Sequence, residues 1–224
     1  MKFLITVLFL SLLHCNIEGY LPSMGPSSAL NNPISEVTAN IKKVSYSKKA
    51  TKFYDTSTKK EDEKGVIDNL DGVKVYYNGK VTNVHGRNVT RDGYNLGLRY
   101  QCVEFVKRYY YEYYRHKMPN SYGHAREFYD LRIQGEGFNK ARGLMQYSNG
   151  GRVRPRKGDI IVFGPYPDNQ FGHIGIISSV TEKSVEIIQQ NVDRHTRANY
   201  RTVSSGSNFY IQDIQVLGWL RKIK

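Results

Sequence analysis

Two cysteines and six histidines are the side chains of this 224-residue chain best suited to nucleophilic and proton-transfer chemistry near neutral pH. Cys15 lies in an N-terminal run that reads as a secretory signal, so Cys102 is the thiol left after that run is removed. A lone thiol cannot form an internal disulfide. In an oxidising compartment it is a liability unless it has a task, and the alternative is an inert buried cysteine. Cys102 opens a stretch in which Cys102, Phe105, Val106, Tyr109, Tyr110 and Tyr113 follow one face of a 3.6-residue period. At the first turn of such a helix, unpaired N–H groups and the helix dipole favour a thiolate, and a lowered pKa is expected.

The proton acceptor is expected to be His173. It follows Gly172 and opens the apolar run His173-Ile-Gly-Ile-Ile177, a strand start from which an imidazole can face a cleft shared with the helix. A third group must orient that ring. The next apolar run ends Gln189-Gln190-Asn191, where Gln189 and Asn191 share a strand face and either amide oxygen is a candidate acceptor. The oxyanion donors are expected to be the N–H of Cys102 and a neighbour, with Gln101, Arg152 and Arg154 as candidate substrate contacts. No paired metal-ligand spacing and no Gly-rich phosphate loop is present, so neither a metal nor a cofactor is expected.

The elements positioning these residues are read from periodicity. Helices are expected over 102–116, ending before Pro119, and over 124–133. Strands are expected around 73–77, 159–163, 173–180, 184–190 and 216–220, with 83–97 as loop. Asn88-Val89-Thr90 within that loop is a glycosylation sequon if the source is eukaryotic. Helices followed by adjacent strands predict an α+β domain, with N-terminal helices packed on an antiparallel sheet. That domain is expected to span 65–224. Residues 1–19 form the signal, and 20–64, with eight Lys against four acids between Lys42 and Lys64, a basic linker or pro-segment. The apolar run is too short to span a bilayer, so secretion without stable membrane insertion is expected.

Removing residues 1–19 takes away Lys2 and Glu18, leaving the net charge at +13 (+13 − 1 + 1). Such a balance favours electrostatic attraction to polyanions, an anionic cell wall among them, without specific nucleic-acid recognition. Lys140, Arg142, Arg152, Arg154, Arg156 and Lys157 form a basic stretch expected to rim the cleft or to be a solvated loop.

The segments Tyr100-Gln-Cys-Val-Glu-Phe-Val-Lys-Arg108, Pro155-Arg-Lys-Gly-Asp-Ile-Ile-Val-Phe163 and Phe171-Gly-His-Ile-Gly-Ile-Ile177 resemble the cysteine, histidine-dependent amidohydrolase/peptidase (CHAP) family. Within it, the chain most resembles the amidase domain of bifunctional glutathionylspermidine synthetase/amidase. Asp71-Gly-Val-Lys-Val-Tyr76, Val185-Glu-Ile-Ile-Gln-Gln-Asn-Val192 and Val216-Leu-Gly-Trp219 extend the likeness over roughly 65–221. The resemblance implies a papain-like (NlpC/P60-type) fold and amide hydrolysis through a thioester, with Cys102 as nucleophile, His173 as base and no cofactor. The third catalytic position, Glu in many members, is Gln189 here. The expected substrate is peptidoglycan. The alternatives are glutathionylspermidine-like conjugates, whose polyamine a basic rim would repel, and a weakened catalytic fold that binds walls.

Overall fold

In a computed structural model, residues 65–223 are described. The expected signal (1–19) and linker (20–64) therefore lie outside the described residues. About 40% of the structure is strand and 9% helix. The expected α+β, papain-like arrangement with N-terminal helices is thus overturned: the domain is mostly β, with one α-helix among the described residues.

The described residues form twelve strands. β1 (Val66–Leu70) and β2 (Val73–Tyr76) form a hairpin, as do β3 (Arg87–Val89) and β4 (Asn95–Leu98) within the segment expected to be loop. Asp71 and Gly72, both at positive φ (50° and 86°), make the first hairpin's turn, the conformation that Asp-Gly suits. The eight other strands are β5 (Glu136–Asn139), β6 (Leu144–Ser148), β7 (Ile160–Phe163), β8 (His173–Val180), β9 (Ser184–Ile188), β10 (Arg197–Ser205), β11 (Asn208–Ile211) and β12 (Val216–Arg221). They form one antiparallel sheet in the order β11-β10-β9-β8-β7-β12-β6-β5.

Helix α1 (Cys102–Glu112) covers one face of this sheet. Phe105, Val106, Tyr109 and Tyr110 pack with Ile160, Val162, Ile174, Ile176, Ile188 and Leu220. The odd-side residues Ile161 and Phe163 join Ile177, Ile187 and Trp219 on the opposite face. Both faces of β7 are therefore buried, which explains its unbroken apolar run. The helix face away from the sheet is also buried: Glu104 and Lys107 are fully enclosed and Arg108 nearly so. Glu104 accepts from Arg108 Nε (2.7 Å) and Asn88 Nδ2 (2.8 Å), so the two N-terminal hairpins pack on a paired, hydrogen-bonded polar face. Asn88, the sequon residue, spends its amide on this contact.

The expected second helix is a single 3-10 turn, Ala125–Phe128. Side chains of the sheet take the backbone groups a longer helix would use. Asn139 Nδ2 donates to the Phe128 carbonyl (3.0 Å), and Gln146 binds both the N–H and the carbonyl of Asp130 (2.8 Å each).

Candidate active site

Cys102 is the first residue of α1 and His173 the first of β8, and both line one cavity of about 1320 Å³. Helix packing on β7 and β8 sets their approach. The Cys102 sulfur faces the backbone N–H of Ile174, the residue after His173, as well as those of Val103 and Cys102 itself. Gly172, at φ +71°, makes the turn into β8 possible, since a Cβ there would sit 2.4 Å from the Phe163 carbonyl oxygen.

Burial pushes the Cys102 thiol up to about 11, outweighing the opposing pull of the three N–H groups. The residue as a whole is half-buried, but its sulfur is largely withdrawn from water. The expectation of a lowered pKa from the helix start alone therefore omitted the larger effect. A thiol in this setting needs a base to remove its proton.

The His173 imidazole, which lines the same cavity, has a defined tautomer. Gln189 Nε2 donates to the carbonyl of His195 (3.0 Å), which turns Gln189 Oε1 toward His173 Nε2 (2.9 Å). An amide oxygen only accepts, so Nε2 carries the proton and Nδ1 is the basic nitrogen of the neutral ring.

Asn191 stands elsewhere. β9 ends at Ile188 and Asn191 adopts φ +69°, so the two-residue alternation expected to align it with Gln189 is broken. Its Nδ2 donates to Gln101 Oε1 (2.7 Å) and the Val81 carbonyl (3.0 Å), and its Oδ1 accepts from Asn78 Nδ2 (2.6 Å). Gln101 in turn donates Nε2 to the carbonyls of Val81 (3.1 Å) and Asn83 (2.7 Å). Both its N–H bonds are spent within the protein, so Gln101 walls the cavity without offering that amide to a substrate. Gln190 points between them and beneath the helix start, where its Nε2 donates to Glu104 Oε2 (3.0 Å) and the Gln101 carbonyl (3.2 Å). Three successive amides thus brace the imidazole, the helix start and the cavity wall.

Arg152 and Arg154 do not line this cavity, nor does any of the six cations of the 140–157 stretch. Arg154 lies over the Phe209 ring (5.0 Å) and donates to Ser204 Oγ (3.1 Å). Arg142 is buried, with its guanidinium donating to the carbonyls of Asn120 (2.7 Å), Tyr122 (3.0 Å) and Glu127 (3.0 Å). It shapes the wall from behind. The Lys107 ammonium does the same, donating to the carbonyls of Asn95 and Ser121. Burial, with Arg142 and Arg87 adding to it, lowers Lys107 to about 7. The acids and guanidinium that do line the cavity are Glu127, Asp168 and Arg87. Asn78, Gln190, Glu104 and Lys107 were not picked out as site-forming by sequence.

Residues 91–191 match the family described as CHAP domain, a span that contains Cys102, His173, Gln189 and Asn191. Those residues are thus similar to a CHAP domain. A curated relative, glutathionylspermidine synthase of Crithidia fasciculata, is 29% identical over 141 residues, covering 56% of this chain and 19% of that protein. The chain thus spans about a fifth of the length of that relative. A solved structure titled "The crystal structure of Ly7917" aligns at TM-score 0.26 and 18% identity, over 45% of this chain and 38% of its own. No helix among the described residues is long and apolar enough to cross a membrane.

Proposed function

We propose that the protein is a secreted cysteine amidase that cleaves amide bonds of peptidoglycan through a thioester on Cys102. The reading is carried by one observation: the Cys102 sulfur faces the Ile174 N–H in the cavity lined by His173, whose Nε2 is held by Gln189. His173 Nδ1 takes the thiol proton as the sulfur attacks the amide carbonyl. The N–H groups of Cys102 and Val103 at the helix start stabilise the oxyanion. Collapse of that intermediate breaks the C–N bond, and the imidazolium gives its proton to the departing amine. Water, deprotonated by the same imidazole, then cleaves the thioester, releasing the acid and restoring the thiol. Gln189 keeps the ring in its Nε2–H tautomer throughout. A neutral amide supports imidazolium less than a carboxylate does, so the expected cost falls on rate rather than on the nature of the steps.

A second reading has a specific observation in its favour. The cavity is lined by Glu127 and Asp168 against Arg87 alone, so the expected basic rim does not repel a cationic substrate. An amidase acting on glutathionylspermidine-like conjugates fits that lining and the name of the relative. Digestion of purified peptidoglycans and of glutathionylspermidine side by side, with products weighed by mass spectrometry, separates the two. New amine and carboxyl ends in wall fragments support the first reading. Release of spermidine with intact wall supports the second, and absence of both products refutes amidase activity on either.

A further inference from the structure

The structure assigns a second ligand site to this domain: we propose that a cavity formed by the 153–159 turn, the end of β12 and Tyr114 binds a polyphosphate-type anion. The cavity measures about 830 Å³ and shares no lining residue with the one that holds Cys102. Four cations line it, Arg156, Lys157, Arg221 and Lys222, together with the rings of Tyr114 and Tyr147. Its one acid, Asp159, is buried and already occupied. Both carboxylate oxygens accept from Arg221 (2.9 and 2.7 Å), and one also accepts from the Arg156 N–H (2.7 Å). Asp159 therefore fixes Arg221 in place and repels little.

The other cations keep most of their charge available. Lys222 donates to the neutral carbonyl of Tyr114 (2.6 Å). Arg156 is exposed and interacts with Asp159 through space as well as through its backbone N–H. Lys157 pairs with Asp71 (2.6 Å) while remaining about half exposed. Arg154, next along the turn, does not line the cavity and turns to the Phe209 ring and Ser204. The four lining cations (Arg156, Lys157, Arg221, Lys222) therefore face two acids (Asp71, Asp159), an excess of two positive charges. Spread over two chain segments, that excess suits a ligand with more than one anionic oxygen group. Guanidinium forks beside ammonium point charges suit phosphate oxygens, and the space admits a chain of them rather than a single ion. Arg156 and Lys157, part of the basic stretch expected to rim the cleft or to be a solvated loop, line this second cavity instead.

Calorimetric titration of the full chain with tripolyphosphate at 150 mM salt tests the site. Saturable one-to-one binding is expected, weakened at least ~10-fold in Arg156→Glu/Lys157→Glu. Lys183→Glu/Arg201→Glu alters two exposed cations elsewhere, makes the same change in net charge, and is expected to bind within about twofold of the unaltered protein. If the first variant fails to melt cooperatively, Arg156→Gln replaces it, with a smaller loss expected. Equal losses in the pocket and control variants, unsaturable binding, or equally tight binding of citrate would each overturn the proposal.

Discussion

In a Gln189→Glu variant the neutral acceptor 2.9 Å from His173 Nε2 becomes a carboxylate. A charge-assisted hydrogen bond exceeds a neutral one by about 1 kcal/mol, so the imidazolium is held ~5-fold more firmly. The same change removes the donor that satisfies the His195 carbonyl at 3.0 Å and sets a carboxylate against it. That costs about 1–3 kcal/mol of stability and lowers Tm by roughly 3–10 °C for a domain of this size. The two effects are read separately. With the thiol pushed up to about 11, only about one sulfur in ten thousand is ionised at pH 7 without help. Alkylation of Cys102 between pH 6 and 7 therefore reports proton transfer to His173, and its rate is expected to rise about fivefold in Gln189→Glu. In Gln189→Ala it is expected to fall. The assay is the iodoacetamide rate constant against pH, followed by intact mass, with a thermal melt of each variant. Alkylation rates unchanged in both variants would refute the idea that Gln189 acts through His173 on Cys102.

Other substitutions test the remaining supports. Gly172→Ala places a Cβ 2.4 Å from the Phe163 carbonyl at φ +71°, and should cost about 1–3 kcal/mol and misplace His173, seen as a lower Tm with slower Cys102 alkylation. Asn191→Ala frees the Gln101 side chain, and is expected to reduce turnover while leaving the pH dependence of alkylation in place, because Asn191 contacts Gln101 and Asn78 instead of the imidazole. Lys107 lies at about 7 in the folded protein against 10.5 ordinarily, so between those values the unfolded chain binds the extra proton and stability rises with pH. Melts from pH 7.5 to 9 should show that rise, at no more than ~1 kcal/mol per pH unit after screening, and Lys107→Met should flatten it.

The parts of this fold legible in the sequence are those whose apolar residues keep one period. The α1 face (Phe105, Val106, Tyr109, Tyr110), the β7 run and the strand opened by His173 all do so, and each lies at or beside the site. Seven strands were not expected from the sequence (β1, β3, β4, β5, β6, β10 and β11), and the four of them in the large sheet have sequences that do not declare them. β10 turns only Ala198 and Tyr200 fully inward along nine residues, and β5 buries little besides Asn139. Without β5, β6, β10 and β11 a mostly β domain reads as α+β. The 124–133 segment misled in the other direction. Ala125 and Phe128 suit a helical spacing, but Asn139 and Gln146 claim the backbone beyond them. The site's sequence signal was strongest for Cys102 and His173. It was weakest where burial decides: the enclosed charges of α1, the elevated thiol and the placement of Asn191 follow from long-range packing that no local period records.

The decisive measurement is mass-spectrometric analysis of amide products formed from peptidoglycan by the unaltered protein and by Cys102→Ala, with thermal melts in parallel. The expected result is hydrolysis by the first and none by the second, at closely similar Tm. Equal yields of cleaved amide from a Cys102→Ala protein would contradict a sulfur nucleophile.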